Sequence, residues 1–176
     1  MSTLKVNSII PTGGVASDSG QQVFGGGVVQ IIQNKQYGRT TTSSSTFVET
    51  DNNVVITPTS SSSKIYILCS GDCNTEADRV IIPTLYRKIG SGSYSNIAPQ
   101  GSNDTFGTNN NHGFLYVNSP LGRIQVPWTI SFFDVPNTTS ELTYKIYVRT
   151  PSGGNIEFPA NNQYNPVCMT AMEVSA

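Results

Sequence analysis

The chain has 176 residues, a length that accommodates one domain and an extension. Charged side chains make up 12% of it, compared with roughly 25% in typical soluble proteins. The net charge of −1 and the lack of a basic run argue against a nucleic-acid-binding protein, which needs a clustered positive surface.

The N-terminal sequence carries no recognisable targeting signal. Met1–Asn7 lacks the apolar stretch of a signal peptide, and no later run approaches the ~18 apolar residues of a membrane span. The cysteines number three, whereas a disulfide framework normally uses them in pairs. We therefore expect a protein that is made in a cytosol with reduced thiols and is not inserted into a membrane.

Residues 1–27 differ from the remainder of the chain and do not resemble part of a compact domain. A segment of this composition cannot bury enough apolar surface to offset the entropy lost on ordering. We predict an N-terminal arm that lies against a partner; the alternative is a tail packed on its own domain. The apolar anchor would be Leu4, Val6, Ile9 and Ile10, and the hinge to the next domain would be Gly25, Gly26 and Gly27.

From Val28 onward the pattern changes to short strands separated by polar turns, at the spacing typical of sandwiches and jelly rolls. Residues 28–176 are therefore predicted to form one all-β domain, an antiparallel β-sandwich of jelly-roll type. Pro83 indicates an edge or a bulge within its strand. The shorter predicted strands are Val28–Gln33, Thr46–Thr50, Asn53–Pro58, Lys64–Ser70, Val80–Lys88, Tyr94–Ala98, Gly113–Asn118 and Val167–Val174.

The interval from Pro99 to His112 is polar and contains one large apolar residue, Phe106. Loops of this length are commonly binding loops, and we expect a surface loop at one end of the sandwich. His112 is the only histidine, so any catalytic triad would have to include it, and no nucleophile motif such as G-x-S-x-G occurs. We predict that the protein is not an enzyme.

The clearest pattern in the chain lies between Trp128 and Thr150. Apolar and polar residues alternate from Trp128 to Phe132 and again from Leu142 to Val148, which is the period of half-buried strands. The connector 135–141 is polar and contains a proline, so it continues neither run. The pattern predicts two long antiparallel strands whose aromatic-rich face packs against a second sheet.

The cysteines offer a weak zinc pattern. Cys69 and Cys73 have a C-x3-C spacing, but a structural zinc site needs four ligands, usually in two close pairs. Cys168 and His112 could complete such a set only if the fold brought them together. The simpler interpretation is that Cys69 is a reduced cysteine packed in a strand, and no metal or cofactor is predicted.

Oxygen-bearing side chains alternate between Asp72 and Asp78, as they do in a calcium loop. However, Ala77 occupies the position where an EF-hand loop needs glycine, and Pro83 the position where it needs glutamate. The sequence leaves calcium binding there open, and a solvated turn is the alternative.

Carboxylates and tyrosines are the remaining candidates. No carboxylate pair of the kind used in glycoside hydrolysis is evident from the spacing. Tyrosines near loops could stack on sugars, although most tyrosines in such sheets cap a core. The carboxylates are Asp72, Glu76, Asp78, Asp104, Asp134 and Glu141, and the tyrosines are Tyr86, Tyr94, Tyr116 and Tyr164.

Several segments outside residues 69–118 carry a resemblance to a known family. They are Ser2–Ile9 with its glycine-rich step, Val28–Gln30, Val55–Pro58, Ile130–Asp134, Thr143–Thr150 and Met169–Val174. Together they resemble tail-fibre and appendage proteins of marine bacteriophages, cyanophages especially. The resemblance implies a homotrimer with an N-terminal virion anchor and a C-terminal β-domain, and it brings no catalytic or ligand residues.

These observations predict a bacteriophage virion structural protein, assembled in the bacterial cytoplasm, that binds the host surface as a short tail fibre or appendage. The alternative is a capsid decoration or head-fibre protein. Residues 1–24 would contact other virion proteins, and a host-surface receptor is a further expected partner. Phe133 and Tyr147, expected to be exposed on the second face of the long strands, support the expectation of a homotrimer because they need cover.

Overall fold

The computed structural model describes residues 27–75, 80–97, 117–118, 124–151, 153–160 and 165–175. Within these ranges the chain is built from β-strands, turns and irregular segments, and no helix is present. In chain order the strands are β1 (Val28–Gln36), β2 (Thr40–Thr42), β3 (Val48–Ile56), β4 (Lys64–Thr75), β5 (Val80–Ile89), β6 (Ser95–Asn96), β7 (Val117–Asn118), β8 (Ile124–Asp134), β9 (Leu142–Arg149), β10 (Ile156–Phe158) and β11 (Val167–Val174).

The strands form two antiparallel sheets, which we name A and B. In sheet A, β11 lies between β1 and β4, and β8 pairs with the other edge of β4. The short strands β10 and β2 extend sheet A beyond the end of β11. In sheet B, β9 lies between β3 and β5, and β5 also pairs with β6 and β7.

The pairings are nested along the sequence. Strand β1 pairs with β11, β3 with β9, β4 with β8 and β5 with β6, so that each pair encloses the next. Successive pairs fall alternately in sheets A and B. An antiparallel ribbon wound in this way is a jelly roll. The predicted fold class, an all-β antiparallel sandwich of jelly-roll type, is therefore confirmed.

The core lies between the sheets and follows the two-residue period of the strands. On β4, Ile65, Ile67 and Cys69 are fully buried, and the alternating residues Tyr66 and Leu68 lie on the outer face. Each such aliphatic side chain contributes about 1.5–3 kcal/mol on burial. The core cluster is Val54, Ile56, Ile65, Ile67, Cys69, Cys73, Ile81, Leu85, Trp128, Ile130, Leu142, Tyr144, Ile146, Val148, Ile156, Phe158, Val167, Met169 and Ala171.

The two long strands predicted between Trp128 and Thr150 are present as β8 and β9, but they belong to different sheets. Strand β8 pairs with β4 in sheet A, and β9 pairs with β3 and β5 in sheet B. The connector after Asp134 therefore crosses from one sheet to the other. The inward faces of the two strands meet in the core, and their outer faces lie on opposite sides of the molecule.

Other strand predictions need smaller corrections. The two segments predicted within residues 46–58 form one strand, β3, whose register shifts between Glu49 and Asn53. Strands β2 and β10 were not predicted, since each has three residues and gains its hydrogen bonds from distant partners. On the side of β5 away from β9, Pro83 lies between the stretches that pair with β7 and with β6. No described strand pairs with it on that side, so Pro83 is at a local edge of the sheet.

A partly buried ionic network joins the sheets at one end of the core. Arg87 of β5 donates from Nη1 to both carboxylate oxygens of Asp134 on β8, each at 2.7 Å. The hydroxyl of the fully buried Tyr144 donates to Asp134 Oδ2 at 2.6 Å. Burial and the neighbouring Asp134 carboxylate raise the pKa of Tyr144, so the phenol stays protonated and can donate.

A second polar network centres on Glu173, a fully buried residue of β11. Gln30 Nε2 donates to its carboxylate at 2.6 Å, and Thr59 donates from both its backbone N and its hydroxyl at 2.7 Å. Burial alone would raise the pKa of Glu173, but the hydrogen bonds from Gln30, Ser63 and Thr59 lower it to about 2. This carboxylate links β1, β11 and the β3–β4 connection.

Candidate interaction surfaces

An apolar row crosses the outer face of sheet A. Ile31 on β1 is paired with Met172 on β11, Met172 with Tyr66 on β4, and Tyr66 with Phe133 on β8. Because these residues are in register, their side chains form one line perpendicular to the strands. The rings of Tyr66 and Phe133 are in contact, with centroids 4.7 Å apart. We call Ile31, Met172, Tyr66 and Phe133 the apolar row.

The ends of the apolar row are the most exposed. Ile31 is 58% exposed and Phe133 37% exposed, and Val29, two residues before Ile31, is also exposed. Exposed apolar side chains are ordinary when they occur singly, whereas a contiguous set indicates an interaction surface. The row begins on β1, the first strand of the described fold, which directly follows the N-terminal segment.

The outer face of sheet B carries a different group of side chains. Tyr86 on β5 and Tyr147 on β9 are stacked, with ring centroids 3.9 Å apart and an interplanar angle of 22°. Tyr94, in the turn between β5 and β6, lies 5.9 Å from Tyr147, and Phe47 lies 6.1 Å from Tyr86 in an edge-to-face arrangement. We call these four residues the aromatic patch.

Cationic side chains surround the aromatic patch. Lys88 Nζ lies 5.4 Å and Lys145 Nζ 5.7 Å from the centroid of the Tyr94 ring, and the Arg149 guanidinium lies 5.0 Å from that of Phe47. These distances are in the range of cation–π attraction. Lys145 also forms a 2.9 Å ion pair with Glu49.

The phenols of Tyr86 and Tyr147 are held in their neutral form. Burial, with the Glu49 carboxylate and the neighbouring tyrosines, raises the pKa of Tyr147 to about 12. Burial also raises the pKa of Tyr86, while the nearby Arg149 opposes that change. At neutral pH Tyr86 and Tyr147 therefore present uncharged hydroxyls beside the lysine and arginine side chains.

The sequence predictions identified only part of this surface. Tyr86 and Tyr94 are among the candidate sugar-stacking residues of the sequence, whereas Lys88, Lys145 and Arg149 are not. The signal was present, because cations alternate with tyrosines at a spacing of two along β5 and β9. Residues two apart share a face of a strand, so this alternation places both kinds of side chain on one surface.

Phe133 and Tyr147 do not share a surface, contrary to expectation. Phe133 belongs to the apolar row on sheet A, whereas Tyr147 belongs to the aromatic patch on sheet B. Tyr147 is half-buried and stacked on Tyr86, so the same chain already covers one face of its ring. The two residues lie on opposite sides of the sandwich, so they do not form one continuous surface.

The predicted anchor and most of the predicted hinge cannot be compared with the structure. Leu4, Val6, Ile9 and Ile10 lie outside the described residues, as do Gly25 and Gly26. Gly27 is described, and its carbonyl accepts hydrogen bonds from the backbone N of Ser175 at 3.1 Å and from its hydroxyl at 3.3 Å. The anchor and the hinge therefore stay predictions.

The cysteines are distributed in a way that does not suit a zinc site. Cys69 and Cys73 are buried on the inner face of sheet A, and burial raises the pKa of each thiol to about 12. Cys168 alternates with buried residues of β11 and lies on the opposite face of the sheet. All three are free thiols, and His112 lies outside the described residues.

The segment from Asp72 to Asp78, for which the sequence leaves calcium binding or a solvated turn open, is a strand over its described part, because Asp72 and Asn74 belong to β4. Asp72 accepts hydrogen bonds from the backbone N of Ala160 at 3.1 Å and from Asn165 Nδ2 at 2.6 Å, and Gln125 donates to it as well. Its oxygens are thus occupied by donors from neighbouring segments. The other acidic members, Glu76 and Asp78, lie outside the described residues.

The remaining sequence candidates are metal ligands, a membrane span, and the other carboxylates and tyrosines. Within the described ranges there is no cluster of three or more metal-ligating side chains, and no helix is long and apolar enough to cross a membrane. Asp134 is committed to the ionic network of the core, and Glu141 is exposed in a connector. The residues outside the described ranges are Asp104, Tyr116, Tyr164 and the predicted loop 99–112.

Comparison with known proteins found no matching family model and no matching curated protein. Among solved structures, the chain is similar to the infectious bursal disease virus Gt strain structure, with 11% identity over 84% of this chain and a TM-score of 0.34. For the Gx strain structure of the same virus the identity is 11%, the coverage 84% and the TM-score 0.35. The chain spans 38% and 37% of those two chains, and likeness at this level carries no information on function.

Proposed function

We infer that this protein is a structural protein of a bacteriophage virion, an appendage such as a short tail fibre that binds the host surface, and that it has no enzymatic activity. The observation that carries this proposal is the exposed apolar row on sheet A. A surface of that kind suits a subunit that is assembled with other chains rather than one that acts alone.

The fold and the sequence support the same proposal. Jelly rolls occur in viral capsid and lectin domains, although a fold alone does not define a function. The segments that resemble phage appendage proteins include Val28–Gln30, Ile130–Asp134 and Met169–Val174, which form parts of β1, β8 and β11. Phe133 and Met172 lie within two of these segments, and Ile31 directly follows a third, so the resembling segments contribute to the apolar row.

The proposed attachment uses the N-terminal arm. In this proposal Leu4, Val6, Ile9 and Ile10 dock into other virion proteins through residues 1–24, with Gly25–Gly27 as the joint. An extended chain places Leu4 and Val6 on the same side, as in a strand added to an exposed sheet edge. Main-chain hydrogen bonds would then provide affinity and the aliphatic side chains would define the register.

Virion composition tests the proposal. We expect mass spectrometry of purified particles to detect the protein, and particles assembled with a variant lacking residues 2–24 to lose it. The deletion should leave the melting temperature of the β-domain unchanged, because it ends before β1 begins at Val28. Absence of the full-length protein from purified particles would contradict the function, and normal incorporation of the deletion variant would contradict the anchor.

Copy number distinguishes the appendage from the alternative, a capsid decoration or head-fibre protein. A tail fibre is expected in tens of chains per particle and a decoration protein in hundreds. Quantitative mass spectrometry against the major capsid protein measures this ratio directly. A count in the hundreds would replace the appendage assignment with the decoration assignment.

The apolar row also predicts self-association, which we propose to be a homotrimer. A stable interface buries roughly 1,200–2,000 Å². We expect the full chain to be trimeric by mass photometry, and Ile31→Asp to produce monomers because it places a charge in the apolar row. Val55→Asp, at a comparably exposed apolar position on sheet B, is the matched control and should remain trimeric. A monomeric wild-type chain, or a trimer that survives Ile31→Asp, would contradict this interface.

A further inference from the structure

The aromatic patch on sheet B has no role in the assembly proposed above. It lies on the opposite side of the sandwich from the apolar row, and its half-buried rings are held by stacking and edge contacts. The patch combines three features on one surface: tyrosine rings, neutral phenol hydroxyls and flanking cations. Each feature restricts the kind of ligand that would fit.

The rings suit a ligand with an apolar face and polar edges. Tyrosine offers a flat apolar surface with a hydroxyl at its tip, and it loses little conformational entropy on binding because it has few rotatable bonds. A pyranose ring has the matching form, with C–H groups on its face and hydroxyls around its rim. Tyr94 is the best placed for stacking, because it lies in the turn at the edge of sheet B rather than between neighbouring strands.

The charges indicate that the ligand is anionic. Lys88, Lys145 and Arg149 contact the patch, and Glu49, paired with Lys145, is the carboxylate that contacts this group in the described part of the chain. In the described part of the chain Lys88 forms no ion pair, and its ammonium faces the Tyr94 ring. A lysine ammonium is a mobile, hydrated charge with three donors, so it can turn towards a carboxylate bound beside that ring.

We propose that the aromatic patch is a binding site for an acidic saccharide, such as a uronic-acid-containing polysaccharide. The sugar ring would stack on Tyr94 and its carboxylate would pair with Lys88 and Lys145. This inference supplies a ligand class for the host-surface binding proposed above and depends on that proposal only for the biological source of the saccharide.

Affinity electrophoresis of the full chain in gels containing polygalacturonate tests the site. We expect the polysaccharide to retard the wild-type protein, and Tyr94→Ala and Lys88→Gln each to raise the dissociation constant about fivefold to tenfold. Neutral galactan, which lacks the carboxylates, should retard the protein at least fivefold less. Retardation in polygalacturonate should also weaken as salt is added, since the contacts are exposed charges.

Matched controls separate the site from general charge and hydrophobicity. Tyr37→Ala and Lys35→Gln remove an exposed tyrosine and an exposed lysine next to or on β1, and both variants should bind as tightly as the wild type. Equal loss of binding in the control and patch variants would overturn the proposal. So would a wild-type protein that polygalacturonate does not retard, or one that galactan retards equally.

A nucleic acid could also combine ring stacking with charge pairing. The net charge of −1 and the lack of a basic run make it the poorer fit. Tighter binding of a single-stranded oligothymidylate than of polygalacturonate would overturn the saccharide assignment. The virion experiments do not depend on these gels. If the gels show no binding, the saccharide site is contradicted but the virion role is not. If the protein is absent from virions, the virion role is contradicted but the saccharide site is not.

Discussion

Replacing Arg87 by glutamine is expected to lower the free energy of unfolding by about 3 kcal/mol, the loss typical when one partner of a buried ion pair is removed. The change leaves the Asp134 carboxylate, whose side chain is 8% exposed, without its guanidinium. Among the described residues, the Tyr144 hydroxyl would then be the side-chain donor left to Asp134, and a single phenol does not compensate for a buried negative charge. Urea denaturation of the two proteins measures the difference.

The expected size of this effect follows from the position of the network. Arg87 and Asp134 belong to different sheets, so their interaction resists separation of the sandwich at that end of the core. Asp134 to alanine should cost a similar amount, since it leaves the guanidinium unpaired. The double variant, with Arg87→Gln and Asp134→Ala, should be less destabilised than the sum of the two single variants because the two groups interact directly.

Arg39→Gln is the matched control, because it removes an arginine from a more exposed ion pair with Glu157 at 3.2 Å. Exposed pairs contribute about 0–1 kcal/mol, so this variant should unfold close to the wild type. Equal destabilisation by Arg87→Gln and Arg39→Gln would contradict the special role of the interior pair. Additive single and double variants would contradict direct coupling.

Replacing Glu173 by glutamine is expected to lower the free energy of unfolding at pH 7 by about 2 kcal/mol, through loss of charge-assisted hydrogen bonds. Three donors at 2.6–2.7 Å converge on the carboxylate oxygens. An amide replaces one acceptor oxygen with an NH2 group. That group cannot accept a hydrogen bond, so at least one of these donors loses its acceptor. Thermal or urea denaturation at neutral pH measures the loss.

The same carboxylate predicts a pH dependence. The folded pKa of Glu173 is about 2, below its usual value of 4.5, so its contribution is fully present above pH 4.5 and is lost as the pH falls towards 2. The difference in stability between the wild type and Glu173→Gln should therefore be constant above about pH 5.5 and shrink on acidification. Unfolding curves at several pH values between 2 and 7 test this.

Glu141→Gln supplies the control, because Glu141 is an exposed carboxylate in the connector between β8 and β9. The Glu141→Gln variant should lose stability on acidification between pH 4.5 and 2 to the same extent as the wild type. If the difference in free energy of unfolding between the wild type and Glu173→Gln stayed constant down to pH 2, the Glu173 carboxylate would not be the source of the acid-induced loss of stability.

The sequence pattern identifies side chains that lie on the outer face of a strand, but the pairing of the strands is needed to show which of them form the aromatic patch. Lys145 and Tyr147 each alternate with core residues, and Tyr86 directly follows the core residue Leu85, which places all three on outer faces. Alternation cannot tell which outer face, and it grouped Phe133 with Tyr147 although they lie on opposite sides of the molecule. The stacking of Tyr86 on Tyr147 depends on the pairing of β5 with β9, a contact between distant parts of the chain.

The sequence by itself determined the local structure. Two-residue alternation defined the long strands β4, β8, β9 and β11, because one face of each must be buried and the pleat makes that face every second residue. It also indicated the all-β class and, through the spacing of turns, the jelly-roll type. Pro83 correctly indicated a local edge, because proline lacks the backbone donor that a central position needs.

Only the tertiary structure decided which strands are neighbours. Strands β8 and β9 are consecutive and joined by a short connector, yet they lie in opposite sheets, and β1 pairs with β11 at the other end of the chain. Short strands such as β10 exist because distant partners supply their hydrogen bonds. The hydrogen bonds between strands are made by backbone groups that nearly all residues carry, so the sequence pattern specifies the faces of a strand but leaves its partner to the packing of the whole core.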